Sequence, residues 1–289
     1  MHFKEAKTLL SQHNGMNIYR GCSHGCIYCD SRSDCYHMDH DFEDIEVKIN
    51  APALLEDALK RKKHACMIGT GAMCDPYMHC EKDLKLTRQC LELINRYGFG
   101  VSVLTKSSLI LRDAELLAEI NRKCKAVVNI TVTTADDGLC KIVEPNVALT
   151  SERFEVLKKF REMGVPTVVW MTPILPFIND TGENIRTITE KCAEYGVKGI
   201  ITFGGMGLTL RQGDREYFYS CLDKAFPGLK ERYIKTYGLS YELPSPRNDE
   251  LIDIFKRQCK KYGIMTSTNK IFDFLNGIDE ISGEQLSMF

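Results

Sequence analysis

Residues 151–171 read SERFEVLKKFREMGVPTVVWM and carry the unit from which the rest of the chain is built. Phe154, Leu157, Phe160 and Met163 fall near helical spacing, behind Ser151 as a candidate N-cap. Gly164 follows, the residue type that ends helices because it takes a left-handed turn freely. Thr167–Met171 is then an apolar, β-branched run that reads as a strand.

The same helix–glycine–strand order recurs at Tyr97-Gly98, Tyr195-Gly196 and Tyr262-Gly263. Leu86, Cys90, Leu93 and Tyr97 form one further stripe, and Ile185, Ile188, Cys192 and Tyr195 another. Strand candidates lie near Asn17–Tyr19, Ala65–Ile68, Val101–Leu104, Val127–Val132 and Gly199–Phe203. Alternation of this kind implies parallel pairing through right-handed crossovers. About six β/α units fit, fewer than the eight of a closed barrel. The expected fold is therefore α/β, a partial (β/α)6 TIM-type barrel with a C-terminal helical extension. An open doubly wound sheet is the alternative, which the pattern alone does not separate. Residues 238–249 (GLSYELPSPRND), rich in Pro, Ser and Gly, mark the best boundary. The expected division is a core over 1–237, an extension packed on it over 238–276 with a helix from Asp249 to Tyr262, and a flexible tail over 277–289.

Of the 289 residues, 44% are hydrophobic and 27% charged, the composition of a soluble globular protein. A net charge of −1 argues against a broad electropositive surface and so against indiscriminate nucleic-acid binding. Residues 1–20 lack the apolar core of a signal peptide, and no run approaches the ~18 apolar residues of a membrane span. A cytoplasmic location without membrane attachment is expected. There, thirteen cysteines point to metal ligands, reactive thiols and buried small side chains rather than disulfides.

Residues 21–30 read GCSHGCIYCD, placing Cys22, Cys26 and Cys29 at C-x3-C-x2-C spacing. Thiolates hold iron–sulfur clusters, and such close spacing lets one loop wrap a cluster. Three ligands on a four-iron cube leave one iron open for a further ligand. Gly21 and Gly25 give the loop freedom to fold round it. The competing reading is a zinc knuckle with Cys35 or His24 as fourth ligand, although zinc sites usually show two paired ligand arms.

This motif, with an aromatic residue before its last cysteine, resembles the radical S-adenosylmethionine superfamily. The resemblance implies a [4Fe-4S] cluster on Cys22, Cys26 and Cys29, with S-adenosylmethionine chelated at the open iron. It implies reductive cleavage to a 5′-deoxyadenosyl radical that removes hydrogen from a substrate, and it puts Tyr28 near the adenine. A reductant of flavodoxin or ferredoxin type would supply the electron.

The wider sequence is similar to the spore photoproduct lyase-like branch of that superfamily. The matching stretches are NIYRGCSHGCIYCDSR (17–32), GTGAMCDPYMHCEKD (69–83), LTKSSLILRD (104–113), ITVTTADD (130–137), VEP (143–145) and TPILPFIND (172–180). Most of them fall where strands should end, the face at which β/α barrels gather their chemistry. Threonine hydroxyls such as Thr131 and Thr133 suit the ribose or carboxylate of S-adenosylmethionine, and Lys106 suits a carboxylate or phosphate. Ordinary strand-end capping is the alternative for each. Glu144-Pro145 and Asn179-Asp180 read equally as turn chemistry. Cys74 stands where the branch more often has threonine before Asp-Pro-Tyr. Spore photoproduct lyase returns a hydrogen atom to its product from a cysteine in this general region. Cys74 is therefore a candidate hydrogen donor, with burial as a small apolar residue the competing reading.

The chain ends EQLSMF. Gln285, Leu286, Ser287, Met288 and Phe289 resemble the short peptide by which bacterial repair and replication proteins bind the sliding clamp. Core and tail together suggest a lyase-like radical enzyme acting on a nucleic acid, such as a DNA lesion. A peptide, protein or small-metabolite substrate is the second reading. A non-catalytic metal-binding scaffold is the third.

Overall fold

The computed structural model describes residues 1–278. Gln285–Phe289, read above as a clamp-binding peptide, lie outside the described residues. Six strands form one parallel sheet: β1 (Gly15–Met16), β2 (Met67–Thr70), β3 (Gly100–Thr105), β4 (Ala126–Thr131), β5 (Thr167–Trp170) and β6 (Gly199–Ile201). Each strand pairs only with its sequence neighbours, in the order 1-2-3-4-5-6. A doubly wound sheet reverses its strand order at a switch point. This sheet has no reversal, so it is the partial barrel. The outer layer is α1 (Ala51–Arg61), α2 (Leu86–Tyr97), α3 (Ala114–Lys123), α4 (Thr150–Glu162) and α5 (Gly182–Glu194). No described helix is long and apolar enough to cross a membrane.

The helix-end glycines behave as their positions require. Gly98, Gly164, Gly196 and Gly263 all have φ between 66° and 71°, which an L side chain adopts only with strain. Val101, Val103, Val128, Ile130 and Val169 face the helix layer and are fully buried there. Met67, Val127, Val168 and Ile201 point to the opposite, concave side. That side is filled at one end by α7 (Thr268–Asn276), whose Ile271 and Leu275 pack among them. α6 (Asn248–Tyr262) lies against α5, with Ile254 directly over Gly182.

Three local expectations change. The first strand of the main sheet is Gly15–Met16, not Asn17–Tyr19. Tyr19–Arg20 instead joins Glu46–Lys48 and His2–Lys4 in a separate three-stranded sheet. Met16, Ile18 and Tyr19 are all buried, so the apolar pattern records burial without saying which sheet receives each residue. Second, α4 begins at Thr150 with Leu149 as N-cap, because the Ser151 hydroxyl is engaged by Asp137 Oδ2 at 2.6 Å. Third, β6 stops at Ile201; Phe203 turns left-handed (φ 51°) and out to solvent. Within 238–249, Glu242–Pro244 forms a strand antiparallel to Gly207–Thr209.

Candidate active site

The strand ends open on a cavity of about 780 Å³. The loop after β1 supplies Cys22, Cys26, Cys29 and Tyr28 to its wall. The ends of β2, β3 and β4 supply Cys74 and Asp75, Lys106, and Thr131. Trp170 closes β5, and Phe203 follows β6 at the mouth. The sequence-predicted residues thus converge on one cavity, with one exception. Thr133 is fully buried off the cavity wall, its hydroxyl 3.5 Å from Glu144 Oε1.

All three cysteines of the loop line the cavity. Cys22 and Cys26 are buried and Cys29 is half-buried. Burial pushes the Cys22 thiol well up, with Asp75 and the neighbouring cysteines adding to it. It pushes the Cys26 thiol up to about 12. Thiols of this kind ionise when a metal cation compensates them, which is how iron and zinc take thiolate ligands. Gly21 lets the loop start: its φ is 82°, and a Cβ there would lie 2.5 Å from the Phe42 carbonyl oxygen. Cys22 N–H donates to that same carbonyl at 2.9 Å.

The far side of the loop is held by residues 143–146. Ile27 N–H donates to Val143 O at 3.0 Å, and Asn146 Nδ2 to Ser23 O at 3.0 Å. The Tyr28 hydroxyl donates to the Glu144 carboxylate. Arg153 forms an ion pair with that carboxylate, both side chains being fully buried, and its Nη1 donates to Thr131 O at 2.9 Å. Burial alone would raise the Glu144 pKa, but Arg153 and Lys106 overcome it and hold the carboxyl below its ordinary value. Glu144 therefore stays ionised beside the cluster loop.

A second buried carboxylate, Asp75, organises the ends of β2 and β3. Asp75 accepts from Thr105 Oγ1 at 2.6 Å, Lys106 N–H at 2.7 Å and Tyr77 N–H at 2.8 Å. His24 Nδ1 lies 3.4 Å away, and burial keeps that imidazole below its usual pKa in spite of Asp75. The Lys106 ammonium lies over the Tyr28 ring, 5.9 Å from its centroid. Desolvation opposes its charge, but Cys26 and Glu144 outweigh that and raise its pKa. The cavity therefore offers a cation beside the cysteine loop. The Cys74 thiol donates to Tyr19 O at 2.9 Å, and burial pushes it up to about 12.

The mouth is aromatic. Trp170 and Phe203 meet edge to face with centroids 5.4 Å apart, and Phe203 is 55% exposed. Tyr241 also lines the cavity, and Arg211 donates to its hydroxyl at 2.9 Å. The sequence alone assigns no role to Arg153, Asp75 or this aromatic pair, and reads Glu144 equally as turn chemistry.

The site is thus a partial β/α barrel that presents three cysteines and a lysine at its strand ends. The chain belongs to the radical SAM superfamily, whose family model matches residues 16–183. The cofactors of that family are a [4Fe-4S] cluster and S-adenosylmethionine. An uncharacterized protein of Mycobacterium tuberculosis is 31% identical over 237 residues, covering 79% of this chain and 68% of the relative. One from Methanocaldococcus jannaschii is 32% identical over 167 residues, covering 57% and 61%. Among solved structures, spore photoproduct lyase complexed with dinucleoside spore photoproduct superposes with a TM-score of 0.65 at 13% identity, covering 91% of this chain and 80% of that one. A variant of that lyase with bound AdoMet gives 0.59 at 14% identity, covering 88% and 75%. The architecture is thus that of radical SAM enzymes.

Proposed function

We propose that this chain is a lyase-like radical SAM enzyme that abstracts hydrogen from a nucleic-acid substrate, such as a lesion in DNA. The observation that carries the reading is the convergence of Cys22, Cys26, Cys29, Lys106 and Thr131 on one cavity whose mouth is lined by Trp170 and Phe203. Aromatic faces of this kind stack planar bases with little regard to sequence. The solved lyase that the fold resembles was itself complexed with a dinucleoside photoproduct.

In this reading Cys22, Cys26 and Cys29 hold the cluster, and Lys106 and Thr131 bind the carboxylate or ribose of S-adenosylmethionine. When bound, the two cofactors supply the radical chemistry. The chain's own residues position and protect it. Tyr28, fixed by Glu144, forms a wall beside the adenine. Asp75 orients Thr105 and Lys106 from behind. Cys74 keeps its S–H proton at neutral pH, the form able to return a hydrogen atom to a product radical. The electron comes from a flavodoxin- or ferredoxin-type donor in the cytoplasm, where thirteen cysteines stay reduced.

Two measurements test this. Anaerobically reconstituted protein should release 5′-deoxyadenosine from S-adenosylmethionine under reduction; colourless protein holding zinc would end the radical reading. Oligonucleotide affinity should fall steeply as salt rises. Undetectable binding at low salt would leave a peptide or small-metabolite substrate.

A further inference from the structure

A second cluster of ligating side chains lies outside the barrel, on the three-stranded sheet. One ligand atom each from His2, His40 and Asp44 lies within 4.8 Å of the others. The two imidazole rings meet edge to face with centroids 4.8 Å apart. His2 Nδ1 is 2.8 Å from Asp44 Oδ2, and its Nε2 is 3.9 Å from Glu46 Oε2. His40 is the informative member. Its Nδ1 lies 3.0 Å from Asp41 O, a carbonyl that can only accept, so Nδ1 carries the proton. In the neutral ring that makes Nε2 the lone-pair nitrogen, and this atom is buried without a hydrogen-bond partner among the described residues. A metal-binding histidine has this arrangement: one nitrogen donating to a carbonyl, the other turned to the metal.

We infer that His2, His40 and Asp44 form a binding site for a borderline divalent ion of the Zn2+ type, separate from the cysteine loop. Two imidazoles and one carboxylate favour zinc and its transition-metal neighbours over Mg2+ or Ca2+, which take oxygen ligands. Without the ion, the Met1 amino group balances the charge of Asp44, which also hydrogen-bonds His2 Nδ1, and Lys4 balances Glu46 at 2.9 Å. The ion would take over the first of these roles. Its place in the fold gives it a structural task. It would tie strand His2–Lys4 to the 40–44 loop, and Phe42 of that loop accepts the Cys22 N–H. The site therefore braces the loop on which Cys22 rests.

The test uses untagged, cluster-loaded protein dialysed against Zn2+. One zinc per chain should remain beyond the iron. X-ray absorption at the zinc edge should show N/O ligands at about 2.0–2.1 Å and no sulfur shell near ~2.3 Å. His40→Ala and Asp44→Ala should weaken binding by more than the roughly 10–100-fold that loss of an outer-shell partner costs. His2→Gln, at the edge of the sheet, carries the same test if His40→Ala loses its iron. A sulfur shell, or zinc retention unchanged in these variants, would overturn the site.

Discussion

The phenol of Tyr28, inside the three-cysteine loop, donates a hydrogen bond to the carboxylate of Glu144, 116 positions further along the chain. Arg153 neutralises the same carboxylate, and all three side chains are buried. The conformation of the cysteine loop is therefore set partly from the β4 side of the barrel. Glu144→Gln would leave the Arg153 guanidinium as an uncompensated buried charge, which costs roughly 3–5 kcal/mol. Tyr28→Phe removes one hydrogen bond while Arg153 still satisfies the carboxylate, and should cost about 1–2 kcal/mol. Urea midpoints of the two variants check the ranking. Equal losses would mean that the ion pair does not carry the stability of this wall.

Cys26→Ala should reduce iron from the ~4 atoms per chain of a [4Fe-4S] cluster to background and abolish 5′-deoxyadenosine release with it. Cys22→Ala and Cys29→Ala should do the same. Cys90→Ala, at a fully buried position on the core face of α2, should keep its iron and lose only stability, as a small cavity in a packed core does. Iron analysis with absorption spectra of the four variants separates ligands from core thiols.

The repeat and the cysteine loop were legible in the sequence because each rests on local signals. Stripe, glycine and β-branched run recur within about thirty residues, and C-x3-C-x2-C spans only eight. The first strand was misplaced because Met16, Ile18 and Tyr19 are apolar for two different sheets. Ser151 was misread as a cap because its true partner, Asp137, is fourteen residues away. Glu144 lies within a matching stretch yet reads equally as turn chemistry, since its partners Tyr28 and Arg153 come from two other elements. One signal was available. Arg153 sits beside Phe154 on the face of α4 that also buries Thr150, Leu157 and Phe160. A cation on an apolar stripe calls for a buried anion, and Glu144 is the acid that meets it.

Asp214 provides a pH signature. It lies at the start of the helix Asp214–Ala225, and burial raises its pKa from the ordinary carboxyl value to about 6. Its Oδ1 accepts from Arg211 N–H at 2.6 Å, while Oδ2 is buried without a partner among the described residues. A folded-state pKa above the unfolded one makes a contribution that is full below about pH 4 and lost as pH rises through 6. Asp214→Asn keeps the Oδ1 acceptor and removes the charge. It should therefore gain about 1–2 kcal/mol over wild type at pH 7.5 and about half of that at pH 5. Urea unfolding at both values reads this out. A variant with the same pH dependence as wild type would assign the effect elsewhere.

Cys74 separates catalysis from packing. Its thiol is held by Tyr19 O and stays protonated at neutral pH, because burial pushes it up to about 12. If it returns a hydrogen atom to a substrate-derived radical, Cys74→Ala must leave S-adenosylmethionine cleavage running while product is diverted to adducts. Packing predicts something else. A lost thiol at a buried position lowers stability by about 1–2 kcal/mol and changes neither branch of the product mixture. Cys74→Ser is the sharper variant, since it keeps the donor to Tyr19 O but holds its hydrogen in a stronger O–H bond. Diverted product from Cys74→Ser at unchanged stability would identify the thiol as the donor, and an unchanged product ratio would return it to the core.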